Sequence, residues 1–511
     1  ASWKLCINDE TKILVCYNNV GDFMFHISDC KKFSRCPRLY FNDLKDDTTE
    51  YHPFVRLDEK VSDLAILKLG IQEYFLGSVG DEAQKALDAL EKYEWLVKAR
   101  FEYDSLRVKV PFLHRTNRGW DLYFLFIGIY PHTNDLAFYT DTLWVLENNG
   151  IQINDIYMIH LNGEYVRGKQ LDPEKLFVVT DCFYNNKNNP TQPIKPTLLQ
   201  AMKDVHPLLE EMKNTTLEDL EPPVRTNKCT GRSKCIYYEQ CFPHEEKMED
   251  NSILTLIASS EKYKMLEEGK RYLKDAEIER IEGSRQQFAQ ICADLNGGLF
   301  VDHLALHSWL SKIQYPIAFL DFEWERFAIP PYIGMKPYDV LPFEYALIIM
   351  HEDGSLQKKI YLNIHDDRRD MAENLTKDIP STGTVIAYNA EGAEKVRIQE
   401  FAQLFPDLSK KLLSINERME DLQLPFLSGT VYDTRMRGQW SLKSIMSMMD
   451  DPGYQALDIR QGMDAVFQWR HLDYNDEVDQ EEKNKIIEDL KKYCGMDSYA
   501  MTVVYSWLKK M

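Results

Sequence analysis

Residues that break or stiffen a chain are scarce here: 23 glycines and 21 prolines in 511 residues, too few for a collagen or a low-complexity polymer. No segment recurs at a fixed period, so a solenoid or propeller is not expected. Long hydrophobic runs are missing as well. The longest of the first half, LYFLFIGIY from Leu122 to Tyr130, falls far short of the roughly 20 residues of a membrane span and reads as a buried strand. The opening ASWKLCINDETKILVCYNN has no basic stretch followed by an apolar one. A secretory signal is therefore not expected, and a cytoplasmic location with no membrane partner is. Positive charge is in deficit: 61 Lys and Arg against 81 Asp and Glu give a net charge of -20. Such a chain repels a polyanion unless basic residues gather locally or cations intervene.

What is present is ordinary globular material, 44% hydrophobic, 12% aromatic and 28% charged, which predicts an aromatic-rich core. At about 150 residues per domain the length suggests about three domains. Residues 83–98 have helical apolar spacing, whereas 105–113, 120–129 and 156–162 read as strands, an α/β pattern. A polar loop is expected at 185–193. A helical stretch from about 198, interrupted at Pro207, closes at Glu221-Pro222-Pro223. Residues 251–312, charged and helical in period, read as a helical connector between a first domain at 1–250 and a second α/β block at 313–511.

Carboxylates in the last third carry the chemistry. In YPIAFLDFEWERF an apolar strand runs into Asp321 and Glu323, which point to one face because they are two residues apart. Such a pair can hold a divalent cation, and two cations a few Å apart activate water for phosphodiester hydrolysis. Glu394 follows the strand TVIAYN, five residues beyond Asn389, where a helix is expected to start. In KNKIIEDLKKYCGMDSYAMTVVYSWLKK, Tyr493 and Asp497 are i and i+4 on one helix face. Taken singly, each has a structural explanation; the ordered set argues for a site.

This set resembles the acidic residues of the DnaQ-like, DEDD-type 3′-5′ exonucleases, in the subclass whose last motif is Tyr-x-x-x-Asp. The stretches LDFEWERFAIPPYIGMKPYDVLPFEYALII, AYNAEGAEKVRIQEFAQLFPDL, GQWSLKSIM and YCGMDSYAM also resemble bacterial fusion proteins that join a RecB-like half to such an exonuclease. The resemblance implies a ribonuclease H-like fold over the last 190 or so residues. It also implies a two-metal site (Mg²⁺ or Mn²⁺) of Asp321, Glu323, Glu394 and Asp497, with Tyr493 orienting water. The family's second motif usually ends in Asp, so Glu391 and Asp421 are alternatives to Glu394 as the third acid. Around the acids, RMRGQWSLKS offers Arg435, Arg437, Ser441 and Lys443 to phosphates, with Ser441 equally well a helix N-cap. Trp324 is a candidate for stacking on a terminal base, with Asn389 beside it as a substrate contact; Phe343 and Tyr345 read as core.

Cysteine supplies a second constellation. Cys229, Cys235 and Cys241 are evenly spaced in NKCTGRSKCIYYEQCFP, and Cys36 lies far upstream in HISDCKKFSRCPRLYFN. Clustered thiolates in a reducing compartment call for a soft metal, an iron-sulfur cluster or structural zinc. The pattern resembles the four-cysteine staple of RecB-like nucleases, which implies a [4Fe-4S] cluster. Cys6, Cys16, Cys30, Cys182, Cys292 and Cys494 read as core or incidental. The nuclease residues expected of such a half are missing: the Glu-x-Lys positions are Phe124 and Phe126, the metal-binding Asp position is Lys109, and a downstream Gln is Tyr139. The first half is therefore expected to be a degenerate restriction-endonuclease fold, a scaffold or guide for nucleic acid.

The expected function is a 3′-5′ exonuclease acting on single strands or an exposed 3′ end. One competing reading is a non-catalytic binding or assembly module docking a protein partner of a repair or defence complex. Another keeps the first half active through Asp104 and Asp121.

Overall fold

The computed structural model describes residues 24–45, 55–230, 235–243, 249–449, 453, 462–474 and 479–511; Cys6 and Cys16 lie outside these. The chain is a mixed α/β protein whose described part divides into two compact units. One takes in the residues up to Val224 with Cys235–Tyr237 and Ala328–Pro337; the other takes in Arg225–Lys234, Tyr238–Phe327 and Tyr338–Met511.

In the first unit the strands expected at 105–113, 120–129 and 156–162 join three that were not expected, in one sheet whose order runs Phe75–Leu76, Trp95–Tyr103, Leu106–Thr116, Gly119–Phe126, Ile153–Leu161, Phe177–Thr180. The helix expected over 83–98 stops at Lys92. From Trp95 the sequence WLVKARFEY instead buries Leu96, Val97, Ala99 and Phe101 and makes a strand. Gly119–Phe126 and Ile153–Leu161 run parallel, and the helix Leu136–Asn148 between them is buried from Tyr139 to Leu146, as a crossover covering a sheet must be. The turn into Gly119–Phe126 requires glycine: a Cβ on Gly119 would stand 2.6 Å from the Gln152 carbonyl oxygen, at φ +133°.

The second unit holds a five-stranded sheet, ordered Leu356–Leu362, Val340–Met350, Ile317–Arg326, Thr384–Ala387, Met419–Asp421. The first three strands are antiparallel neighbours; the last two run parallel to Ile317–Arg326. Alternation along Ile317–Arg326 divides the apolar residues between two cores. Ile317 and Phe319 pack with Met501, Val504 and Tyr505 of the C-terminal helix Gln480–Leu508 and with Leu442 and Ile445. Ala318, Leu320 and Phe322 pack on the opposite face against Met371, Leu375, Ile398, Phe401 and Leu412 from three other helices. With both faces covered, near-continuous burial of Val340–Met350 follows.

Residues 251–312 fold with this second unit. Their helical pattern is cut into short pieces, Lys262–Glu267, Arg285–Leu295 and His303–Leu310, because Gly269 and Gly297, at φ +89° and +80°, end the first two. Ser284 caps the second, accepting from the Gln287 amide. Leu256, Met265, Leu273, Ala289 and Ala293 join the core that also holds Phe319, so the stretch is packed structure.

Candidate active site

Asp321 and Glu323 emerge on the sheet face covered by the C-terminal helix, where the apolar alternation of Ile317 and Phe319 gives way to acids. A β-bulge follows, between Glu323 and Trp324; bulges re-aim side chains and cluster beside functional sites. The helix supplies Asp497 from one turn beyond Tyr493, both buried. Gly495 lies on the helix face against Lys358 and Ile360 of the strand Leu356–Leu362. The result is convergence: Asp321, Glu323 and Asp497 each offer a carboxylate oxygen, and these atoms all lie within 4.8 Å of one another.

Glu394, outside the three whose oxygens lie within 4.8 Å of one another, is close enough for its charge to act on Asp321 and Glu323; it is the first residue of the helix Glu394–Leu404, where the helix dipole favours an acid. It is 2% exposed, and its Oε2 has no hydrogen-bond partner. Burial, aided by the charges of Asp421 and Asp497, pushes its carboxyl up to about 8. Burial and the crowding of Asp497, Glu323 and Glu394 likewise push Asp321 well above the carboxylate range, and burial with Asp497 and Glu344 does the same to Glu323. Four acids so placed cannot all ionise at neutral pH in isolation; a bound divalent cation inverts that balance. The donor set is all oxygen, the preference of Mg²⁺ and Mn²⁺, and an orphaned buried oxygen on Glu394 fits a cation as well.

The alternatives for the third acid have other partners. Glu391 is exposed and ion-paired with Lys395. Asp421 Oδ1 accepts the amides of Asn389 at 2.9 Å and Gln423 at 2.8 Å, pinning the turn before Glu394. Asn389 itself is exposed, at φ +63°, a conformation Asn tolerates.

Tyr493 is buried, and Lys443 Nζ donates to its hydroxyl oxygen at 2.9 Å while lying 4.8 Å from the ring centroid. Burial and the charges of Asp497, Glu323 and Asp321 raise the Tyr493 hydroxyl far above its ordinary range, so it remains an O–H donor. Lys443 is thus brought to the acids, where its charge also favours ionised Glu323. The other basic-loop residues have local partners. Arg435 pairs with Asp433 and donates to the Met448 carbonyl. Arg437 pairs with Asp250 at 3.0 Å, and Ser441 caps the helix Leu442–Met446, one of its two expected roles. Trp324 lies on the opposite sheet face, against the core of Leu320 and Phe322, with the Arg397 guanidinium 5.4 Å from its ring. Phe343 and Tyr345 are core.

Two residues at the site were not singled out from sequence. Cys494, read as incidental, is buried with its Sγ 3.6 Å from Asp321 Oδ2. Glu344 is fully buried directly opposite Glu323; a lone acid inside the apolar run LPFEYALII was the available signal.

In the first unit none of the expected ligand positions is acidic. Phe124 is fully buried and packs edge-to-face on buried Tyr139 at 4.8 Å; Phe126 is half-buried, and Lys109 is exposed. Asp104 and Asp121 lie toward opposite ends of Leu106–Thr116: Asp104 in the turn before it, Asp121 opposite His114. About eight residues at 3.3 Å each separate them, so they do not form one site. Asp104 does lie near His206 and Glu210, but Lys213 bonds both acids there. Of the four cysteines, Cys36 and Cys235 belong to the first unit and Cys229 and Cys241 to the second: Cys36 precedes the helix Pro37–Asp43, Cys229 lies in Asn227–Thr230, Cys235 follows that helix in sequence, and Cys241 ends Tyr238–Cys241. All four are half-buried, and no disulfide joins any two of the described cysteines. No helix among the described residues is long and apolar enough to cross a membrane.

Tyr493→Phe is expected to leave cation binding intact and to lower turnover about 10²-fold, the size of loss when one hydrogen-bond donor to a reacting group is removed. Single-turnover rates beside a Mn²⁺ titration check this.

No curated protein and no solved structure matches the chain. A model of a domain of unknown function (DUF2779) matches residues 318–441, a span that contains Asp321, Glu323 and Glu394 and ends before the helix carrying Tyr493 and Asp497.

Proposed function

We propose that the second unit is a ribonuclease H-like, DEDD-type 3′-5′ exonuclease hydrolysing single-stranded nucleic acid. The observation that carries this reading is the convergence of Asp321, Glu323 and Asp497 from one strand and one helix, with their oxygens within 4.8 Å. The sheet order, with its antiparallel second strand between the outer strand and Ile317–Arg326, supports the fold. Asp321, Glu323, Glu394 and Asp497 would hold two Mg²⁺ or Mn²⁺ ions, which when bound supply a nucleophilic water and charge stabilisation at the leaving oxygen. The chain's own part is to orient. Lys443 occupies a lone pair of the Tyr493 oxygen, which leaves the Tyr493 proton to be donated to water or a phosphate oxygen. Cations bound among the acids would also offset the repulsion that a net charge of -20 presents to a phosphodiester.

The first unit is proposed as a non-catalytic RecB-like scaffold or nucleic-acid guide, because its expected ligand positions hold Phe124, Phe126, Lys109 and Tyr139, none of which ligates a hard cation. Cys36, Cys229, Cys235 and Cys241 are proposed to ligate a [4Fe-4S] cluster. Anaerobically purified protein is then expected to be brown with about four irons per chain; stoichiometric zinc without iron would replace the cluster by a zinc staple. The enzymatic test uses 5′-labelled DNA and RNA single strands of one sequence with Mn²⁺ or EDTA. A ladder shortening stepwise from the 3′ end is expected with Mn²⁺ alone. Intact strands under both conditions would overturn the reading.

A further inference from the structure

Glu344 is the one acid at this site without a place in the mechanism above. It stands in Val340–Met350, opposite Glu323 in register, with Ala346 opposite Asp321. Directly opposed residues of an antiparallel pair project to the same face, here the face covered by the C-terminal helix, whose Ser498 donates to the Ala346 carbonyl at 2.9 Å. Glu344 is 0% exposed, and neither carboxylate oxygen has a hydrogen-bond partner. Buried polar atoms are nearly always bonded, and an exception asks for an ion or water that completes it. The charged groups that act on it are Lys491 and Asp497 from the helix, Lys358 from the adjoining strand and Glu323 beside it. Like Glu394 it lies outside the three acids whose oxygens converge within 4.8 Å, and unlike Glu394 it has both oxygens orphaned.

We infer that Glu344 is the outer acid of the divalent-cation centre, its two orphaned oxygens accepting hydrogen bonds from the water shell of cations held by Asp321, Glu323, Glu394 and Asp497. The inference rests on reading that cluster as a cation site. Outer acids of this kind orient the inner ligands and add negative charge without coordinating. Glu344 is therefore a positioning residue: it acts through hydration water and through Glu323.

The test is calorimetric titration of the full chain with Mn²⁺, comparing wild type, Glu344→Gln, Glu344→Asp and Asp321→Ala. Glu344→Gln is expected to weaken Mn²⁺ binding about 10–100-fold, the usual cost of losing an outer partner, with its unfolding temperature in EDTA not lowered. Glu344→Asp, which keeps the charge, is expected to bind more tightly than Glu344→Gln. Wild-type affinity in Glu344→Gln overturns the inference, and so does equal weakening in the Gln and Asp variants, which would mark packing as the cause. If wild type takes up no Mn²⁺, the reading of the centre itself fails. Uptake that Asp321→Ala removes and Glu344→Gln leaves unchanged fails this inference alone.

Discussion

Asp321→Ala is expected to abolish Mn²⁺-dependent strand shortening, lowering the rate by at least about 10²-fold, as when one preorganised electrostatic contact at a reacting centre is lost. The reason lies in its position. Asp321 is on the central strand, between Glu323 on its own strand and Asp497 on the helix, and its carboxyl is influenced by all three other acids. Removing it withdraws one of the three carboxylates that converge within 4.8 Å, whereas Tyr493→Phe removes one orienting proton. Asp321→Asn keeps the shape and removes the charge, so it should fail as fully as Asp321→Ala. Activity retained in the Asn variant and lost in the Ala variant would point to packing. The measurement is initial rate on a 5′-labelled strand under saturating Mn²⁺, with circular dichroism confirming the fold.

The second large effect is on stability and depends on pH. Glu344 and Glu394 are held up to about 8 by burial, against about 4.3 in an unfolded chain. The folded state therefore binds more protons, so the stability these groups contribute is fully present below about 4.3 and is lost as pH rises through about 8. In EDTA the unfolding temperature of the second unit is expected to fall between pH 5 and pH 8. With Mn²⁺ the slope reverses, because cation binding requires ionised carboxylates. At 100 times its dissociation constant a ligand adds about 2.7 kcal/mol. For a unit of this size that is a rise of about 5–10 °C. Scanning calorimetry at pH 6 and pH 8, with EDTA or Mn²⁺, measures all four conditions. A cation effect equal at both pH values would contradict the assignment of the raised carboxyls to the binding site.

Much of the centre was legible because its geometry is local. Period two put Asp321 and Glu323 on one face, and a spacing of four stacked Tyr493 over Asp497. The same alternation puts Trp324 on the opposite face, where it packs beside Arg397. Glu394, Glu391 and Asp421 were inseparable in sequence because the choice between them depends on tertiary burial: one is exposed, one pins a turn, and one is buried with an orphaned oxygen. Glu344 was hidden by its setting, since the run LPFEYALII reads as core and shows an anomaly only once Glu323 is known to lie opposite. The strands at Leu106–Thr116, Gly119–Phe126, Ile153–Leu161, Ile317–Arg326 and Thr384–Ala387 were recognisable from β-branched and aromatic runs, whereas Trp95–Tyr103 was hidden in part under an apparent helix over 83–98. Residues 251–312 read as a connector because charge and helical period conceal the apolar positions, Leu256, Met265 and Leu273 among them, that join the core. Arg435 and Ser441 illustrate a general limit, because local anchoring and substrate binding use the same residue types.

The central claim, that these carboxylates form a divalent-cation centre, is tested most directly by anomalous diffraction from crystals soaked in Mn²⁺. The account predicts anomalous peaks for two ions among Asp321, Glu323, Glu394 and Asp497, lost on Asp321→Ala. A fully soaked crystal with Mn²⁺ bound elsewhere and none at these four acids would contradict it.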